Sequence, residues 1–79
     1  MTLIDFRTYF KRNIIFLRKS RGLLQKDLAD IFELKRSTIG AMEEGRAISV
    51  KEVVKYSQYF KISIDKLLTE FLTIKDLKQ

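Results

Sequence analysis

The residues able to do chemistry concentrate in one stretch, "QKDLADIFELKRSTIGAMEEGR", Gln25 to Arg46. Its second half has helical spacing, yet it opens on two cations, Lys35 and Arg36, and carries Gly40 in its middle. Cations at the positive end of a helix dipole cost roughly 0.3–1 kcal/mol each, and an interior glycine costs about 0.5–1 kcal/mol relative to alanine. Something outside the fold is expected to offset both. The chemistry on offer is hydrogen bonding and charge, not bond-making.

Bond-making is disfavoured by composition. The chain has no Cys and no His, so disulfides, thiolate metal sites, imidazole ligands and neutral-pH proton shuttles are absent. Lys, Ser and Asp are present but show no nucleophile–base arrangement, so the sequence predicts no catalytic residue, no metal, no cofactor and no enzyme.

Sixteen Lys plus Arg face ten Asp plus Glu across 79 residues, a net charge of +6. The excess is uneven: Arg7, Lys11, Arg12, Arg18, Lys19, Arg21 and Lys26 fall between Phe6 and Lys26 without one acid. Such a run projects a positive field over one side of a small domain, or simply solvates a helix face. Apolar runs are only a few residues long, which excludes a membrane span and a signal peptide and predicts a soluble, cytoplasmic protein.

The elements that must position these residues are all helical. Thr2 and Asp5 have the spacing of a capping box, followed by Phe6, Phe10, Ile14 and Leu17 on one face, so a first helix is expected from Leu3 to Ser20. Gly22 supplies its left-handed stop and Leu23 folds back on the stripe. A second helix begins near Gln25, with Leu28, Ala29 and Phe32 inward and Asp27 in its first turn. Glu33 and Leu34 make a short connection to a third helix over 35–44, with Ile39 and Met42 inward and Gly45 beyond its end. Ser49 and Glu52 form a capping box for a fourth, with Val50, Val53, Val54, Ser57 and Phe60 on one side. Ser63 caps a fifth carrying Ile64, Leu67 and Leu68. With no sustained alternation and no proline, the fold class is all-α, a compact five-helix bundle.

Three segments in this order resemble the phage-repressor-like helix-turn-helix domains of the Cro/XRE family. "LRKSRGLLQKDLA" is similar to that family's end of helix one and Gln-led second helix, "KRSTIGAMEEGR" to its recognition helix, and "KISIDKLL" to its closing helix. The resemblance implies a lambda-repressor-like bundle in which the third helix enters the major groove of double-stranded DNA and the second crosses the phosphate backbone. Lys35 and Arg36 then sit where anions arrive, and the Arg fork suits guanine N7 and O6. Gly40 lets the backbone approach the groove, and Ala41 meets a thymine methyl.

The resemblance assigns base reading to Arg36 and Ser37, then to Lys35, Thr38 and Ala41, and phosphate contact to Gln25, Lys26 and Arg46. Each has a plainer alternative: a solvated side chain for the cations and Gln25, a helix-capping hydroxyl for Ser37 and Thr38. Arg18 and Glu43 occupy positions that the family often joins by a structural ion pair. The chain departs from the family at Glu33, often Gly, at Leu24, often a polar cap, and at Ala41, often a longer polar reader.

The implied function is a DNA-binding transcriptional regulator, most often a repressor, dimeric on a palindromic operator. The alternative is the antitoxin, or another interaction module, of a toxin–antitoxin pair. Residues 1–70 make the binding domain; 71–79, "FLTIKDLKQ", form an apolar tail. That tail extends the fifth helix and packs on the first, makes a dimer contact, or starts a longer chain with a further domain.

Overall fold

The computed structural model describes residues 5–77, which form helices without any strand. Their order is α1 (Phe6–Ser20), α2 (Gln25–Phe32), α3 (Arg36–Glu43), α4 (Val50–Phe60), α5 (Ile64–Thr69) and a single-turn α6 (Ile74–Leu77). The sixth helix is an addition to the five expected.

Asp5 itself caps α1, its carboxylate accepting the Arg7 N–H at 2.9 Å. The expected partner Thr2, and Leu3, lie outside the described residues. Phe10, Ile14 and Leu17 are fully inward, but Phe6, expected on the same stripe, is half exposed. At the other end Gly22 takes a positive φ of 66°, and the Leu23 N–H returns to the Arg18 carbonyl at 3.2 Å. Leu23 is thereby folded onto the core.

The turn between α2 and α3 is made by Glu33 in the left-handed conformation, φ 57° and ψ 43°. A side chain there costs about 1–2 kcal/mol. Two contacts hold the turn in place: the Leu34 N–H reaches the Ala29 carbonyl at 2.8 Å, and the Lys55 ammonium on α4 donates to the Phe32 carbonyl at 3.1 Å. The ammonium also sits at the negative end of the α2 dipole.

Of the stripe expected on α4, Val53 and Phe60 are buried and Val54 and Ser57 half-buried, but Val50 is 80% exposed, and Tyr56, outside the stripe, is fully buried. The Tyr56 ring decides this. It meets Phe10 and Phe32 edge-on, at 5.6 and 5.0 Å between centroids, and stacks on Phe60 at 6.1 Å. Burying that ring removes more apolar area than burying one valine, so the helix turns Tyr56 inward and Val50 outward. On α5 only Leu67 is fully buried, and Ile64 is 40% exposed.

The tail does not extend α5. Asn13, 2% exposed on the apolar face of α1, donates through Nδ2 to the Leu67 carbonyl at 2.9 Å and the Glu70 carbonyl at 2.7 Å. Its Oδ1 accepts the Leu72 N–H at 2.9 Å. One amide thus holds carbonyls at the end of α5 and reverses the chain, so that Leu72 enters the core and Phe71 lies 4.6 Å from the Tyr9 ring. Lys66 and Asp76 form an ion pair between α5 and α6.

Candidate nucleic-acid interface

Helix α3 begins one residue later than its sequence pattern suggests. Lys35 is its N-cap, in extended backbone, and Glu44 its C-cap. No side chain caps the N-terminus, so Ser37 and Thr38 are not capping hydroxyls. Lys35, Arg36 and Ser37 are exposed, Thr38, Gly40 and Ala41 half-buried, and Ile39, Met42 and Glu43 buried against the bundle. The outer surface of the helix is short-sided apart from the cations at its start.

Helix α2 starts in a similar way. Leu24 offers no side-chain cap, and the Asp27 carboxylate accepts the Leu24 N–H at 2.9 Å. Leu24, Gln25 and Lys26 line one shallow depression together with Arg36 and the buried Arg18, which brings the leading ends of α2 and α3 to a common surface. Dipole and cations point there in concert.

The cations divide into two sets. Arg7 pairs with Asp5, Arg18 with Glu43, and Arg46 with Glu44. Arg12 lies over the Phe71 ring at 4.9 Å, and Arg21 over Tyr59 and Phe60 at 5.1 and 4.8 Å. Much of the acid-free basic run therefore makes contacts within the fold, at the surface of α1. Lys26, Lys35 and Arg36 form no ion pair among the described residues. These three lie at the leading ends of α2 and α3; Lys11, Lys19, Lys51 and Lys75 are likewise outside the four ion pairs.

Beneath it lies a closed polar network. Arg18 Nε donates to Glu43 Oε2 at 2.7 Å and Nη2 to Oε1 at 3.1 Å, while Nη1 reaches the Leu23 carbonyl at 2.7 Å. Hydrogen bonding to Glu43 raises the Arg18 pKa above its ordinary value, against the effect of burial. Gln25 Nε2 donates to Glu43 Oε1 at 3.0 Å. Gly40 is half-buried, and a Cβ there would meet Gln25 Oε1 at 3.8 Å, an ordinary contact.

A family model described as helix-turn-helix, of the Cro/C1 type, matches residues 14–67, more than half of the chain. The chain belongs to this helix-turn-helix family. Its members are DNA-binding regulators of transcription, and in these general terms so is this chain. Searches of the curated proteins and of the solved structures gave no match. In helix-turn-helix terms α2 and α3 are the motif, and α1, α4 and α5 hold it. No described helix is long and apolar enough to cross a membrane, and no group of three or more metal-ligating side chains occurs among the described residues.

Sequence reasoning did not find Asn13, Tyr56 or Lys55. Asn13 carried a signal, a polar amide inside the apolar stripe of α1; Lys55 carried none, because its partner is a backbone carbonyl.

Proposed function

We propose that the chain is a sequence-specific repressor that binds double-stranded DNA with α3 in the major groove. The observation that carries this reading is the exposed, unpaired and uncapped leading end of α3, Lys35, Arg36 and Ser37. Arg36 reads guanine and Ser37 an adjacent base edge, with Lys35, Thr38 and Ala41 adding contacts and Gly40 keeping that face of α3 low. Lys26, Arg46 and the leading N–H groups of Gln25 and Lys26 hold phosphates. Selection of duplexes from a random library at about 150 mM salt tests this, repeated with Arg36→Ala. A base contact relaxes one motif position at about 1–3 kcal/mol. Uniform loss across sequences makes Arg36 a phosphate contact, and a preference below about tenfold for any duplex rejects the reading, since operators are favoured about a thousandfold or more.

The operator partner is a second copy, seated on the apolar groove lined by Phe6, Ile48, Val50, Val53, Ile64 and Leu68. Among the described residues no charged side chain lines it, so two copies of net charge +6 meet there without like-charge contact from them. Val50 and Phe6 protrude beside the groove they help to line, giving the one patch both knob and hole, as a twofold interface requires. Twofold pairing places two α3 helices about 34 Å apart on a palindrome. Val50→Glu, at an 80% exposed position, abolishes the dimer by sedimentation and halves the selected motif; a dimer that persists places the interface elsewhere.

One observation favours the second reading, an antitoxin or other interaction module. Ile74 and Leu77, at the two ends of the single turn of α6, are exposed apolar side chains, and Phe71 before it is part-exposed. Removing the tail is no clean test, because Leu72 is core; Ile74→Ser with Leu77→Ser is. Unchanged DNA affinity with loss of a co-purifying partner supports this module, and loss of DNA affinity implicates the tail in the operator complex.

A further inference from the structure

The Gln25 side chain crosses between the two helices of the motif. It starts at the first residue of α2, passes the vacant Cβ position of Gly40, and ends on Glu43 near the close of α3. Glu43 is already bound bidentately by Arg18, and Arg18 in turn holds the carbonyl of Leu23, two residues before Gln25. The four residues form a ring, Leu23–Arg18–Glu43–Gln25, that joins the end of α1, the loop into α2, the start of α2 and the end of α3. The amide nitrogen faces the buried carboxylate rather than solvent.

From this we infer that Gln25 is a positioning residue for base reading: its amide sets the orientation of α3 relative to α2, so its loss degrades discrimination between sequences more than affinity for DNA. This rests on α3 being the reading helix. It separates two functions of one residue, since the α2 leading N–H groups remain available to a phosphate whatever the side chain does. It also changes the reason for Gly40. A longer side chain at position 40 would stand where the Gln25 amide crosses, whereas alanine would meet Oε1 at ordinary contact distance.

The test compares Gln25→Met, which keeps length and removes the donor, with Gln25→Glu, which turns an acceptor toward the Glu43 carboxylate. Each is titrated against the duplex selected by the unchanged protein and against a random duplex of equal length, with a thermal melt as control. The specific-to-random ratio should fall about tenfold for Met, the scale of one hydrogen bond to a charged group, and further for Glu. The affinity of Gln25→Met for the random duplex should stay within about twofold, as expected when no phosphate contact is lost. Equal losses on both duplexes make the side chain a phosphate contact and overturn the inference. So does an unchanged ratio, or a ratio that falls only as far as the melting temperature does. If the unchanged protein itself selects no duplex, the failure belongs to the DNA-reading proposal instead.

Discussion

Arg18 and Glu43 face each other across the bundle with Nε 2.7 Å from Oε2, their side chains only 10% and 5% exposed. Breaking a buried pair by removing one partner strands a charge and costs about 3–5 kcal/mol, while replacing both with apolar groups is often neutral. Arg18→Met and Glu43→Leu alone should each destabilise by that amount in urea melts. The double variant should recover most of the loss. Additive losses would show that the pair carries no coupling.

Asn13 is satisfied at all three polar positions that the fold uses. Asn13→Ala leaves the Leu67 carbonyl and the Leu72 N–H buried without this partner, at about 2–6 kcal/mol for two groups worth about 1–3 kcal/mol each. Asn13→Asp keeps the Leu72 contact but aims carboxylate oxygens at two carbonyls, and should cost more. Hydrogen exchange localises the effect: the amide of Leu72 should lose protection before those of α2.

Tyr56 is the opposite case, a fully buried ring whose hydroxyl has no hydrogen-bond partner among the described residues. An orphaned buried hydroxyl is a cost, so Tyr56→Phe should leave stability unchanged or raise it by about 1 kcal/mol, with the aromatic contacts intact. Burial also pushes the phenol well above its ordinary value of 10.0. The folded state therefore holds this proton longer than the unfolded chain. Stability from this source is complete below pH 10 and falls as pH rises past it. Melts between pH 9 and about 11 should show a smaller alkaline loss for Tyr56→Phe than for the unchanged protein.

How far the chain could be read from its residues depended on whether a signal was local. The caps at Ser49 and Ser63 and the Gly22 and Gly45 stops are set by near neighbours in the sequence, and each is legible as a pattern. The α4 face was legible at Val53 and Phe60 but not at Tyr56, whose burial is decided by Phe10 and Phe32 on other helices. The reversal after Thr69 depends on Asn13, more than fifty residues away. At the interface, residue types picked out Lys35 and Arg36, but only coordinates place the Gln25 amide on Glu43 and the Arg46 fork on Glu44.

Backbone strain offers a prediction free of side-chain contacts. Glu33 is a C-cap at φ 57°, where glycine suffers no Cβ penalty. Glu33→Gly should therefore stabilise the domain by about 1 kcal/mol. Gly40 is helical with room for a methyl, so Gly40→Ala should add about 0.5–1 kcal/mol. Both gains are read from thermal melts. A loss at Gly40 would mean that the α2–α3 crossing is tighter than 3.8 Å allows.

Lys26 and Arg46 are both proposed phosphate contacts, but they start from different states. Lys26 has no ion-pair partner among the described residues, whereas both Nε and Nη2 of Arg46 donate to Glu44 Oε1, at 3.0 and 2.7 Å. Reaching a phosphate requires Arg46 to leave that carboxylate, and the exposed pair is itself worth little. Lys26→Ala should thus weaken binding to every duplex and reduce the salt slope by about 1, from near −5 for about six phosphates neutralised. Arg46→Ala should do less, because the Glu44 carboxylate competes with phosphate for the same guanidinium. Glu44→Gln should raise affinity for all sequences and steepen the slope, since it frees Arg46 and removes an anion at the end of α3. Filter-binding titrations between about 50 and 200 mM salt, the range over which phosphate contacts dominate the loss, separate these outcomes. An Arg46→Ala effect as large as that of Lys26→Ala would show that Glu44 does not restrain the arginine.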